Sequence, residues 1–217
     1  MRSIGLFGGT FDPVHFGHLG LARAAISQLD LEKLLLLPSG NPYQKGRLPL
    51  GSGQDRVNML KLAFQEDAEI HVDERELLRA GPTYTLDTLV ELRAEYGDAA
   101  SLIWLTGSDA FSRLDTWHRW QELFGLAHFA VIDRPDQRLA TTHRSPALQR
   151  EVDSRLSDLL DIHQSSSGAV VILGVAPPPV SSTEIRQKIS RDESVRGLTP
   201  DTVCDYIDQH RLYQPKE

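Results

Sequence analysis

Ser3-Ile4-Gly5-Leu6-Phe7-Gly8-Gly9-Thr10-Phe11-Asp12-Pro13-Val14-His15-Phe16-Gly17-His18 is the stretch that decides the fold. Ser3 to Phe7 reads as a short apolar strand, and His18 to Leu29 carries apolar residues at helical period, so a strand runs through a small-residue loop into a helix. Glycines at positions 8 and 9 let backbone approach a ligand closely, and the amino end of a helix favours anions. The unit predicts a corner that holds phosphate. A metal site from Asp12, His15 and His18 is disfavoured: spacing by three puts ligands on one face only in a helix, and Pro13 and Gly17 oppose a helix through them. No metal ligand is assigned. Gly5, Gly8 and Gly9 do not satisfy G-x-G-x-x-G, and G-x-x-x-x-G-K-[ST] does not occur, so the dehydrogenase and P-loop readings lose ground.

Outward from this corner, apolar strand candidates recur at Lys33-Leu37, Glu69-Val72, Ser101-Thr106, His128-Ile132 and Ala169-Val175. Helix-period segments mostly separate them, including Gln54-Phe64 after a Ser52 cap and Leu86-Tyr96 after Thr85. This βαβ alternation predicts an α/β fold with a doubly wound parallel sheet, and runs such as Leu34-Leu37 suit strands covered on both faces. Arg134 to Gly168 is less regular and reads as an insertion or subdomain with a polar helix near Pro146-Leu160. Short helices are expected at Thr183-Arg191 and Pro200-Gln209, the latter capped by Thr199. The chain is read as one domain over 1–217, with residues 182–217 as its C-terminal helical region. Ligands in such sheets sit beyond the carboxyl ends of the strands, where Gly8-His18, Ser39-Lys45, Gly107-Asp109 and Ser181-Arg186 all fall.

Composition bounds the function. The chain has 217 residues, 40% hydrophobic and 24% charged, ordinary for a globular protein with a sizeable core. A formal net charge of −7 argues against general nucleic-acid binding, which needs a broad basic surface; one small polyphosphate needs only a few cations inside a cleft. The longest apolar run is too short for a bilayer and the first residues lack a signal-type stretch, so no membrane partner and a cytoplasmic location are expected. Cys204, the single cysteine, reads as a buried inert thiol.

The residues also resemble a known superfamily. His15-x-Gly17-His18, behind Gly8-Gly9-Thr10-Phe11-Asp12-Pro13, is similar to the H-x-G-H signature of the nucleotidyltransferases, and Ser182-Thr183-x-x-Arg186 to their second signature, [ST]-[ST]-x-x-R. Through Arg79 to Leu89, Thr106-Gly107-Ser108-Asp109 and Thr116-Trp117 the chain most resembles the bacterial nicotinate-mononucleotide adenylyltransferases, over nearly its whole length. The resemblance implies a Rossmann-like fold and transfer of the adenylyl group of ATP to nicotinate mononucleotide, with Mg²⁺ bound mainly through the phosphates. It implies that His15, His18 and Arg186 act in catalysis. Gly8, Gly9, Thr10, Phe11, Lys45, Gly107, Asp109, Ser182 and Thr183 would bind ATP. Tyr84, Thr85, Trp117 and His118 would take the acceptor. At Lys45 the local Pro42-Tyr43-Gln44-Lys45 departs from the usual Pro-His-Lys pattern.

Taken singly, several of these residues have plainer readings. Ser181-x-x-Glu184 is a capping box, Trp117 alone would be packing, and Tyr84-Thr85 alone a helix entry. Two other functions stay open: another small-molecule nucleotidyltransferase, such as one acting on phosphopantetheine, or a non-catalytic nucleotide-binding module.

Overall fold

Four consecutive leucines in one strand can all be apolar only if both faces of the sheet are covered. In the computed structural model, which describes residues 1–41, 48–133 and 143–215, they are covered: Leu34 to Leu37 are all buried in β2 (Lys33–Pro38). Leu34 and Leu36 join one core cluster, whereas Leu35 and Leu37 join the other. The same alternation recurs in β4 (Ser101–Gly107), where Leu102 and Trp104 face one layer and Ile103 and Leu105 the opposite one. With β1 (Ser3–Gly9), β3 (Ile70–Val72), β5 (His128–Asp133) and β6 (Val170–Gly174), the six strands lie parallel in the order β3-β2-β1-β4-β5-β6.

One helical layer is α1 (Phe16–Gln28), α2 (Gly53–Ala63) and α9 (Asp201–Gln209), which bury Leu21, Met59, Leu60 and Val203 against the first cluster. The other is α4 (Thr85–Tyr96), α6 (Trp120–Leu126) and α7 (Pro146–Arg155), which bury Leu89, Phe124 and Leu148 against the second. Short α3 (Arg75–Leu78) and α5 (Ser108–Phe111) and the eight-residue α8 (Ser182–Ile189) lie nearer the carboxyl ends of the strands. The segment expected as an insertion or subdomain is, where described, part of these same layers: Leu148 and Val152 of α7 and nearby Ile162 are buried in the two main clusters.

The starts of α1, α4 and α9 differ from the sequence expectation. α1 begins at Phe16 because extended His15 (φ −153°, ψ 170°) caps it and its carbonyl accepts from His18 N at 2.8 Å. Thr85, expected as a cap, is instead the first residue of α4, after extended Tyr84. Thr199 does not cap α9, because its hydroxyl donates to the Val14 carbonyl at 2.8 Å.

At the opposite, amino-terminal end of the strands, His128 of β5 is fully buried. Its Nδ1 accepts from Ala169 N at 3.0 Å and its Nε2 pairs with the Ser165 carbonyl at 2.9 Å, the pattern of a neutral ring protonated on Nε2. Burial pushes this imidazole below its ordinary value, outweighing the Ser165 carbonyl, which favours the charged ring. The folded state therefore refuses a proton that the unfolded chain takes up near pH 6.5. The stabilisation is fully present above that pH and is lost as pH falls toward the depressed folded value. Thermal melts of wild type and His128→Gln between pH 8 and 5 should show a steeper fall for wild type, with a difference in slope of up to about 1.4 kcal/mol per pH unit. Parallel profiles would remove His128 from the acid response.

Candidate functional site

The strand order reverses between β1 and β4, and there the sheet opens. Phe7 is the last β1 residue registered with β4, opposite Leu105, whereas Gly8 and Gly9 continue along β2 opposite Leu37 and Pro38. Beyond this divergence lie two cavities, one on each side of the loop that follows β1.

The first, of about 220 Å³, lies between the ends of β1 and β4 and is lined by Gly8, Gly9, Thr85, Trp104, Gly107 and Trp117, together with Ser39, Glu76 and Thr83. It brings together glycines expected near ATP and two of the four expected acceptor residues. Tyr84 and His118 are not on its wall; their rings pack on each other with centroids 4.5 Å apart. Thr85 is at the first position of α4, so the amino end of this helix, with backbone N–H groups that lack intrahelical acceptors, stands at the cavity.

Glu76 was not foreseen here. It is buried, and its carboxylate accepts from the Thr88 hydroxyl at 2.9 Å, while Arg79 donates to the same hydroxyl oxygen at 3.2 Å. Burial pushes the Glu76 carboxyl up, and the Thr88 hydroxyl and Arg79 oppose it. The sequence Asp73-Glu74-Arg75-Glu76 reads as a solvated charge run, which is why no signal marked it.

The second cavity, of about 490 Å³, is lined by Gly9, Thr10, Phe11, Asp12, His18, Ser182, Thr183 and Arg186, with residues 48–50 opposite. Both expected signatures therefore meet on one wall although they lie far apart in sequence. Phe11 reaches it by backbone: the residue is left-handed (φ 50°) and only 1% exposed, its ring edge-on to Phe7 and His18. His18 lies in the first turn of α1, its Nδ1 accepting from His15 N at 3.3 Å, so the neutral ring carries its proton on Nε2. His15 is buried and stacks on His18 with centroids 3.8 Å apart. The amino end of α1 is less open to an anion than the sequence suggests, since Phe16 N–H is taken by the Leu198 carbonyl at 3.0 Å.

Arg186 spends one donor on the Asp12 carbonyl and one on Thr183 Oγ1. A guanidinium has five N–H groups, so the rest of the fork is available at the cavity. Ser182 lines the cavity, but its hydroxyl donates to the Pro13 carbonyl at 2.8 Å. Asp109 is exposed and lines neither cavity, but its carboxylate folds back toward Gly107, where a Cβ would lie 2.7 Å from Oδ1. Lys45 lies outside the described residues.

Arg56 is a second residue that sequence reasoning missed, since it reads as one polar position of an amphipathic helix. It is 2% exposed and its Nη1 ties the Thr10 carbonyl at 3.0 Å to the Ser39 carbonyl at 2.8 Å, fastening the loop after β1 to the end of β2. Burial pushes its guanidinium down, and nearby Asp12 opposes that. Among the described residues no group of three or more His, Cys, Asp or Glu side chains could hold a metal ion.

A parallel sheet with its crevice at the switch point, and a small-residue loop, a histidine helix entrance and an arginine around one cavity, define an α/β nucleotidyltransferase. The chain belongs to the family described as cytidylyltransferase-like, whose pattern matches residues 6–188, and within it to the nicotinate-nucleotide adenylyltransferases. It is 41% identical over 212 residues to a probable nicotinate-nucleotide adenylyltransferase of Dechloromonas aromatica, covering 97% of both chains. To a protein of the same description from Chromobacterium violaceum it is 43% identical, covering 97% of this chain and 98% of the relative. The fold is also that of Plasmodium falciparum nicotinic acid mononucleotide adenylyltransferase complexed with NaAD, at 16% identity, a TM-score of 0.70 and 98% coverage of each chain.

Gly40 follows β2 where α3 packs closely: a Cβ there would lie 2.2 Å from the Glu76 carbonyl and 3.1 Å from Thr83 Cγ2. Backbone cannot yield as a flexible side chain can. Gly40→Ala should therefore displace α3, lowering stability by about 1–3 kcal/mol as overpacking does. Denaturant unfolding checks this, and an unchanged midpoint would show that the contact relaxes freely.

Proposed function

We propose that the protein joins ATP and nicotinate mononucleotide to give nicotinate adenine dinucleotide and pyrophosphate. The observation that carries this reading is the pair of cavities flanking one loop: a cationic one walled by both phosphate signatures, and one with a tryptophan and a helix amino end for a flat anionic ring. The acceptor's phosphate is already an anion, so the reaction needs in-line positioning and charge stabilisation more than a strong base. We assign His18 and Arg186, with His15 behind, to the triphosphate, Gly8, Gly9, Thr10, Gly107 and Asp109 to the rest of the nucleotide, and Thr85 and Trp117 to the pyridine ring. Mg²⁺ fits this site as a passenger on the phosphates, because the donors around the cationic cavity are mainly backbone, imidazole and guanidinium rather than a carboxylate cage.

Pyrophosphate release from ATP and Mg²⁺ with a panel of acceptors tests the proposal. Nicotinate mononucleotide should support turnover; activity only with a pantetheine phosphate, or with no acceptor, would overturn it. His18→Ala should lower kcat by about 10²–10³-fold, or roughly 2.7–4 kcal/mol, by analogy with loss of one donor to a developing oxyanion. Its melting temperature should change little, and near-normal turnover would remove the imidazole from the reaction.

Nicotinate mononucleotide should be preferred over its nicotinamide counterpart. Free N–H groups at the start of α4 suit a carboxylate, whereas a carboxamide would present its NH₂ to donors and leave groups unpaired. Trp117→Ala should weaken both acceptors similarly, since stacking does not read the carboxylate. Equal kcat/KM for the two mononucleotides in wild type would show that this helix end does not set specificity.

A further inference from the structure

We infer that Asp12 and Tyr213 form a clamp that sets the width of the cationic cavity, making Tyr213, near the carboxyl end of the chain, a positioning residue for the nucleotide triphosphate. The inference rests on the proposed use of that cavity for ATP.

Asp12 touches both walls. Its backbone carbonyl accepts from Arg186 on one side. Across the cavity, Oδ2 accepts from Leu50 N at 2.8 Å and Oδ1 from Gly51 N at 2.9 Å, so the carboxylate holds Leu50 and Gly51 in place. Leu48 and Leu50 on this wall are 70% and 73% exposed, so packing does little to fix it.

A third donor comes from the far end of the chain: Tyr213 Oη–H donates to Oδ1 at 2.7 Å. The backbone after α9 is bent to deliver it. Arg211 (φ 49°) and Tyr213 (φ 64°) are both left-handed without being glycine, and such conformations persist only where the surroundings over-determine them. Burial, then Asp12, push the phenol up, which keeps it an O–H donor. Gly51 is shaped to the same point: a Cβ there would lie 2.8 Å from Asp12 Oδ1 and 2.9 Å from Tyr213 Oη. Side chain, tail and glycine therefore converge on one carboxylate oxygen.

Three hydrogen bonds engage the carboxylate with Leu50, Gly51 and Tyr213, while Arg186 takes the backbone carbonyl. Without the phenol the carboxylate has a donor to replace, and the guanidinium that would grip phosphate is a nearby cation. A carboxylate that turns toward Arg186 competes with ATP for the same donors, while the cavity at Trp117 is untouched.

Three variants separate this role from general stability. Tyr213→Phe removes only the hydroxyl, and Gly51→Ala crowds the same oxygen from the other side. Tyr206→Phe is the control: its hydroxyl joins α9 to α2 through Asp55 at 3.0 Å and Asn58 at 2.9 Å without touching Asp12. ATP binding by calorimetry and steady-state KM for each substrate are measured, with thermal melts alongside. Tyr213→Phe and Gly51→Ala should raise the ATP Kd and KM about ten- to a hundredfold, the worth of one hydrogen bond to a charged group. The acceptor KM should stay as in wild type, and Tyr206→Phe should leave both KM values unchanged. Equal ATP affinity in wild type and Tyr213→Phe, or matching losses for both substrates in all three variants, would overturn the clamp. Wild type that binds ATP but makes no dinucleotide would overturn the proposed function and leave the clamp standing if Tyr213→Phe binds ATP more weakly. Wild type that does not bind ATP would overturn both.

Discussion

The loop from Asp12 to Val14 has no ladder of its own, yet its carbonyls are buried and must find donors. All three find them in the last part of the chain: Arg186 for Asp12, the Ser182 hydroxyl for Pro13 and the Thr199 hydroxyl for Val14, at sequence separations of 174, 169 and 185 residues. A fourth bond, from Phe16 N to the Leu198 carbonyl, completes the docking. The region after β6 is therefore the missing hydrogen-bonding half of the corner after β1. Unfastening it would leave buried backbone groups unsatisfied, at about 1–3 kcal/mol each.

This arrangement gives the second signature two uses. Ser182 and Arg186 stand on the wall of the cationic cavity and also hold the loop that forms the opposite part of that wall. A change at either position alters cavity shape as well as the polar groups that line it. Losses of nucleotide affinity in such variants therefore combine a missing contact with a displaced loop.

Charge is distributed on the same logic. The chain carries a formal net charge of −7, while Arg56 lies buried beneath the loop after β1 with its guanidinium on two carbonyls. Asp12 sits near it and compensates the buried cation. Arg186 at the crevice of an otherwise acidic chain suits a small polyphosphate.

Local sequence determined the strands, the layers and the corner, because period-2 burial, apolar runs and the Ser52 and Ser181 caps act over a few residues. It also marked His18 and Arg186, through residue types set in recognisable spacing, whereas Trp117 stood out only through the resemblance to the family. What it did not show were Glu76, Arg56 and Tyr213, which read as a solvated charge, a polar helix position and a tail residue. Their roles come from partners 12, 46 and 201 residues away, Thr88, Thr10 and Asp12. Even the entrance to α1 is fastened over such a distance, since Phe16 N bonds to the Leu198 carbonyl. A hydrogen bond between distant segments leaves no period in either one, so only the closed tertiary structure decides which polar side chain is buried and what it holds.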